Sequence, residues 1–227
     1  MSKTVCGIDE AGRGPVIGPM VLCCAVFDKK GAEKLREYNV RDSKKVTPAR
    51  REYLEPLVKQ TALEYKIVLI SPVEIDRMRK KMSLNELEAV KIAQMLYSLK
   101  TRPRTIIVDA ADSVEVNYKK RILACMQKID KSFKTPEIIS EHKADDRYVE
   151  VSGASILAKV ERDRQVEKLR QKHGDFGSGY PSDETTQKHI QELLKNGPLP
   201  DYVRKSWNTV SQNANALTGT QKKLDEY

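Results

Sequence analysis

The chain has 227 residues, with 41 Lys and Arg against 32 Asp and Glu, for a formal charge of +9. At roughly 150 residues per domain it is expected to hold one sizeable domain with an appendage, and its 39% hydrophobic content is enough for a real core. The longest apolar run, Val21–Phe27, is far short of the ~20 residues a membrane span needs. The opening MSKTVCGIDE turns acidic at once and lacks the apolar stretch of a signal peptide. Membrane and secreted classes are disfavoured, and a cytoplasmic location is expected.

Thr4–Ile8 and Val21–Phe27 are β-rich runs separated by Gly- and Pro-rich sequence, predicting two strands joined by a tight turn. Asp28–Asn39 predicts a helix. Thr47-Pro48 is a helix start, a capping hydroxyl before proline, for a helix to about Lys59. Leu63–Ile70 returns to strand. Ser71-Pro-Val-Glu74 and Ser83-Leu-Asn-Glu86 are capping boxes that open two helices, the second reaching about Leu99. Thr105–Val108 predicts a strand ending in Asp109, Val114–Ile129 a helix, Glu137–Ser140 a strand and Val149–His173 a long helix. Gly174–Ser182 reads as a loop, and Asp183–Lys195 as a helix stopped by Asn196-Gly197-Pro198. Residues 208–227 are polar and expected to be loose. Strands alternating with helices predict an α/β sheet covered on both faces. Its domain is placed at 1–173, with a helical cap at 174–207 and a flexible tail at 208–227.

The four cysteines, Cys6, Cys23, Cys24 and Cys125, form no C-x-x-C pair, so neither a zinc ribbon nor a disulfide framework fits. Small buried hydrophobes in a reducing compartment account for them. His142, His173 and His189 show no paired ligand spacing, and no G-x-S-x-G elbow supports serine chemistry. His173 and His189 read as exposed helix residues. The turn Gly12-Arg13-Gly14-Pro15-Val16-Ile17-Gly18 is neither a dinucleotide fingerprint nor a P-loop, and a strand follows it rather than a helix.

The acids are more informative. Asp9 and Glu10 close the first strand, Asp109 closes another, and Asp145 lies just past a third. Ligand sites of α/β sheets gather at such ends. Carboxylates brought together repel unless a cation neutralises them, and oxygen-only ligands select Mg²⁺ or Mn²⁺ over zinc. A basic chain with an acidic centre suits metal chemistry on a phosphodiester, its cations holding the polyanion. Successive strand residues point to opposite faces, so Asp9 and Glu10 share one site only if the strand ends or bends there.

The segments Asp9-Glu10-Ala-Gly-Arg-Gly-Pro-Val-Ile-Gly, Asp42-Ser-Lys-Lys45, Ile107-Val-Asp109, Glu141-His-Lys-Ala-Asp145, Ser155-Ile-Leu-Ala-Lys-Val-Glu-Arg-Asp163, Gly177-Ser-Gly-Tyr-Pro-Ser-Asp183 and Arg204-Lys-Ser-Trp207 appear in that order. The chain thereby resembles ribonuclease HII, the type 2 ribonuclease H, in its archaeal branch. The resemblance implies an RNase H-like mixed β-sheet flanked by helices, with a C-terminal helical subdomain. It implies endonucleolytic cleavage of RNA in RNA–DNA hybrids and 5′ of ribonucleotides embedded in DNA, leaving 3′-hydroxyl and 5′-phosphate ends. Asp9, Glu10, Asp109 and Asp145 would be the catalytic acids and hold two Mg²⁺ or Mn²⁺ ions with substrate bound. Asp112 and Asp146 are near neighbours of two of them, and the motif registers favour Asp109 and Asp145. Gly12, Arg13 and Gly14 would read the ribose 2′-hydroxyl through their backbone, and Tyr180 would stack on a sugar. Lys44 and Lys45 resemble phosphate contacts, with Lys159, Arg162 and Arg204 as weaker ones. Gln221-Lys-Lys-Leu224-Asp-Glu-Tyr227 resembles the sliding-clamp-binding box, so Gln221, Leu224 and Tyr227 would engage a clamp. The protein is expected to be a monomer. Two other readings stay open, a hybrid-binding protein without catalysis and another metal-dependent nuclease of the same fold.

Overall fold

The β-rich runs pair into one sheet, and the amphipathic runs cover it. A computed structural model of the chain describes residues 4–40, 46–132, 134 and 136–218. The strands are β1 (Val5–Ala11), β2 (Met20–Phe27), β3 (Glu64–Ile70), β4 (Thr105–Asp109) and β5 (Glu137–Glu141). The helices are α1 (Lys29–Glu37), α2 (Pro48–Thr61), α3 (Pro72–Arg79), α4 (Leu84–Ser98), α5 (Glu115–Ile129), α6 (Ala144–Arg147), α7 (Val149–His173), α8 (Glu184–Asn196) and α9 (Asn208–Thr218). The sheet order is β3-β2-β1-β4-β5. β1 and β2 pair antiparallel, as do β2 and β3, whereas β1, β4 and β5 run parallel. The alternation of elements predicts a helix-covered sheet, and the resemblance predicts its mixed strand directions; the structure shows both.

Strand alternation sorts the core into two layers. Cys6 and Ile8 of β1, with Ile106 and Val108 of β4, pack against Leu87, Ile92 and Leu96 of α4 and Ile122 of α5. On the other face Val21, Cys23, Ala25 and Phe27 of β2 meet Leu35 of α1, Leu54 and Val58 of α2, and Ala154 and Leu157 of α7. β2 is buried along its whole length. A third cluster joins Val16 and Ile17 to Val166, Phe176, Ile190, Tyr202, Val203 and Val210. Through it the C-terminal helices dock on the segment that leaves β1. Among the described residues no helix is long and apolar enough to cross a membrane.

The capping signals act largely as expected. Thr47 accepts from the Arg50 N–H at 3.3 Å, and Ser83 and Glu86 form a full reciprocal box. At Ser71 only half of the box forms, because the Glu74 carboxylate turns to Lys91 at 2.6 Å. Other expectations fail. β1 continues to Ala11, because the ladder with β2 continues to Ala11 opposite Val21. The link from β1 to β2 is no tight turn but an eight-residue excursion over 12–19. Its backbone partners lie far away, at Gly179 and Tyr202 and in the bridge of Ile17 to Val203. The loose stretch expected from 208 onward is helical as far as Thr218. There Val210 is buried and Gln191 donates to Asn213 at 2.9 Å. α6 has four residues, too few for a periodic signal.

At Gly7 helix and sheet approach very closely. A Cβ there would sit 2.1 Å from the Glu150 carbonyl oxygen in α7. Backbone cannot yield as a side-chain tip can, so Gly7→Ala should lower the unfolding free energy by about 3 kcal/mol. Denaturant titration checks this, and an unchanged midpoint would show that α7 can shift without cost.

Candidate active site

The acids meet where the parallel strands stop. The last rung of the β1–β4 ladder is Ile8 opposite Val108. The next residues, Asp9 and Asp109, therefore stand side by side on the face covered by α7. Asp109 also accepts the Ala144 N–H at 3.0 Å, which holds α6 against β4. Lys143, in the left-handed conformation (φ 56°), turns the chain from β5 into α6. Asp145 follows, 1% exposed, with the Lys159 ammonium 4.0 Å away. Asp9 is 4% exposed and hydrogen-bonds Ser155, one turn before Lys159 on α7. Burial raises the Asp9 pKa to about 7; Asp109 and Asp145 push the same way, while Ser155 and Lys159 oppose.

Glu10 alternates toward α4 and meets a second acid, Glu88, yet it also lines the cleft that Lys159 of α7 borders. Burial, Glu88 and Asp9 raise the Glu10 pKa well above the usual carboxylate range, and Arg13 opposes them. Glu88 is fully buried and shared between the Arg13 guanidinium and the Tyr118 hydroxyl, the latter at 3.3 Å. Burial lifts its pKa to about 7 against the pull of Arg13. Arg13 also binds Asn85, and Asn85 in turn binds Asp112. Arg121 reaches Asp112 at 2.8 Å. Asp112 thus belongs to the Arg13 network, while Asp109 faces Asp9 and α6. Asp146 lies one residue beyond Asp145 and is exposed.

The turn after β1 forms one wall of a cleft of about 440 Å³. Glu10, Gly12, Arg13 and Gly14 face Arg51, Lys159, Arg162 and Tyr180 across it. A Cβ on Gly14 would lie 3.4 Å from the Tyr180 ring. Arg162 lies 5.6 Å from that ring's centroid and donates to the Ser178 carbonyl at 3.3 Å. Asp183 accepts the Ser178 N–H at 2.6 Å and holds this loop; the Ser178 bonds lower its pKa to about 2. Asp163 bridges Arg51 at 3.0 Å and Arg162 at 3.5 Å.

Arg204, expected as a phosphate contact, is turned inward. It is fully buried, and its guanidinium donates to the carbonyls of Gly18 at 3.0 Å, Arg13 at 2.9 Å and Gly12 at 2.6 Å. Burial lowers its pKa to about 9, which leaves it charged at neutral pH. A surface-seeking side chain is placed inside because the turn offers it three acceptors. His189 is likewise half-buried, 3.1 Å from the Tyr202 hydroxyl, rather than exposed. Lys44 and Lys45 lie outside the described residues, as do Gln221, Leu224 and Tyr227.

Sequence reading missed Glu88, Asn85, Tyr118 and Arg51. The signal for Glu88 is a charge set among Leu87, Ala89 and Ile92 on a buried helix face; Arg51 carries no such mark. Among the described residues no three Asp, Glu, His or Cys side chains close into a ready-made metal cage. The donor chemistry nonetheless fits a divalent cation. The four acids offer only oxygens, and the raised pKa values of Asp9 and Glu10 come partly from neighbouring carboxylates that such a cation would relieve.

A helix-covered mixed sheet with acids at its parallel edge and cations around them is the architecture of a ribonuclease H-like hydrolase. The ribonuclease H2 of Pyrococcus horikoshii OT3, known from its crystal structure, superposes with a TM-score of 0.85 at 44% identity, covering 95% of this chain and 99% of that one. The Archaeoglobus fulgidus ribonuclease HII, solved with PCNA, gives 0.81 at 34% identity, covering 98% and 100%. The ribonuclease HII of Pyrococcus horikoshii is 45% identical over 224 residues, 98% of each chain. The family model for ribonuclease HII matches residues 6–210. The chain belongs to the ribonuclease HII family, endoribonucleases that hydrolyse the RNA strand of RNA–DNA hybrids.

The Asp9 shift has a measurable consequence. Its folded pKa lies above its unfolded one, so the folded state keeps a proton that the unfolded state releases. Without divalent metal, stability should therefore fall as pH rises from near 4 to about 7. Asp9→Asn should flatten that profile and raise stability at neutral pH by about 1–3 kcal/mol. Unfolding followed across pH in chelator checks this; an unchanged slope contradicts it.

Proposed function

We propose that the chain cuts the RNA strand of RNA–DNA hybrids and also incises 5′ of single ribonucleotides embedded in duplex DNA, leaving 3′-hydroxyl and 5′-phosphate ends. The observation that carries this reading is the set of buried, mutually repelling carboxylates beside a cleft edged with cations. Asp9, Glu10, Asp109 and Asp145 would hold two Mg²⁺ or Mn²⁺ ions. Bound there, such ions lower the pKa of an attacking water and offset charge on the leaving oxygen.

The chain's own residues supply the rest. Ser155 and Lys159 orient Asp9 and Asp145 and reduce their repulsion before any substrate arrives. Arg162 and Arg51, with Lys159, offer positive charge to the backbone phosphates, joined by Lys44 and Lys45. The 2′-hydroxyl is the local group that separates RNA from DNA. Gly12-Arg13-Gly14 would meet it through backbone, because glycine keeps side chains out of the way. Tyr180, with its ring beside Gly14, would stack on the neighbouring sugar.

The sliding clamp is the proposed partner, bound by Gln221, Leu224 and Tyr227. The spacing puts Leu224 and Tyr227 on one face of a helical turn. The Archaeoglobus relative solved with PCNA supports the assignment. Ending the chain after Thr218 should abolish clamp pull-down while leaving hybrid cleavage intact; unchanged capture removes the tail from that role.

The central test uses a DNA duplex with one ribonucleotide, an all-DNA control and Mg²⁺. Cleavage 5′ of the ribonucleotide alone is expected, weakening steeply with salt as phosphate contacts release counterions. Equal cutting of both duplexes would indicate a DNA nuclease, and binding without cutting a silent hybrid-binding protein. Asp109→Asn should lower turnover at least ~100-fold with binding retained. An active mutant would shift the role to Asp112.

A further inference from the structure

Residues from the far end of the chain hold every carbonyl of the Gly12-Arg13-Gly14 turn. Arg204 takes those of Gly12 and Arg13, and the Trp207 indole N–H takes that of Gly14 at 3.0 Å. Arg204 adds the carbonyl of Gly18, so one guanidinium spans both ends of the loop. A planar fork can meet three acceptors at once; an ammonium cannot match that geometry.

The two clasp residues are themselves braced. Trp207 lies between two guanidiniums, with Arg204 and Arg79 each 4.8 Å from its ring centroid. Asp76 of α3 accepts the N–H groups of Lys205 and Ser206 at 2.8 and 2.9 Å. Arg79 donates to the Ser206 carbonyl at 3.2 Å. The clasp is therefore anchored to α3 and does not hang from a loose C-terminal segment.

Peptide geometry says what the clasp accomplishes. The peptide bonds are trans, so each C=O is antiparallel to the N–H of the next residue. Fixing the carbonyls of Gly12 and Arg13 on the Arg204 side aims the N–H groups of Arg13 and Gly14 to the other side. We propose that Arg204 and Trp207 are positioning residues that set the direction of these two N–H groups toward the ribose in the cleft. This rests on the reading of the turn as the ribose sensor.

The clasp touches no substrate, so its loss should appear in turnover and not in binding. Trp207→Phe keeps an aromatic face between the arginines and removes one donor. Arg204→Lys keeps the buried charge and loses the fork. Each variant is assayed on the single-ribonucleotide duplex beside wild type, with unfolding midpoints and duplex Kd in chelator. The expected result is a kcat lower by about tenfold or more with KM and Kd within about twofold, since small misplacement of a positioned group costs rate. Trp207→Phe should keep the wild-type midpoint and decides the matter if Arg204→Lys does not fold. Wild-type kcat in a folded Trp207→Phe overturns the proposal, as does a rise in KM with kcat unchanged. Failure of the wild type to cut the duplex would instead overturn the ribose-sensor reading itself.

Discussion

A helix lies on a strand here with no side chain between them. At Gly7 the first turn of α7 comes so close to β1 that even a methyl group would overlap the Glu150 carbonyl. That contact fixes the height and the rotation of a 25-residue helix. Ser155, Lys159 and Arg162 follow along it toward the sheet edge, where Asp9 lies just past the last parallel rung and Asp109 ends β4. The chemistry of the edge is thus set by a packing constraint two residues upstream of the first acid. Gly153 repeats the device one layer out, against Phe27, Leu35 and Val58.

Electrostatics then divides the site in two. On the α7 face the Lys159 ammonium lies 4.0 Å from Asp145 and opposes the raised pKa of Asp9. On the α4 face Glu10 and Glu88 share one guanidinium, that of Arg13. Carboxylates buried together in this way are costly unless a cation or a proton joins them. Asp112 and Glu141 sit close by but have their own arginines, Arg121 and Arg147.

Much of the fold was legible because local rules and tertiary structure agree. Thr47 and Ser83 cap the helices their spacing announces, and the β-branched runs form the sheet. The four acids stood out because each ends or follows an apolar strand. What escaped reading depends on long-range contacts. Arg13 meets Glu88 and Asn85 across more than seventy residues, and nothing near Arg13 marks it as half-buried. Arg204 reads as a surface cation because arginine usually is one; three carbonyls nearly two hundred residues away reverse that. α9 is polar enough to read as loose chain, yet Val210 is buried in the core.

The separation of the turn from its clasp has a consequence for how the molecule comes into being. Gly12 and Arg204 are 192 positions apart. Closing so long a loop is slow, and such contacts tend to form late in folding. While the chain is being made, strands and acids can assemble around β1 and β4 before residues 204–207 exist to hold the turn. The turn is held last, by residues made about 190 positions after it. Synthesis order thus separates assembly of the acidic sheet edge from the fixing of the turn beside it.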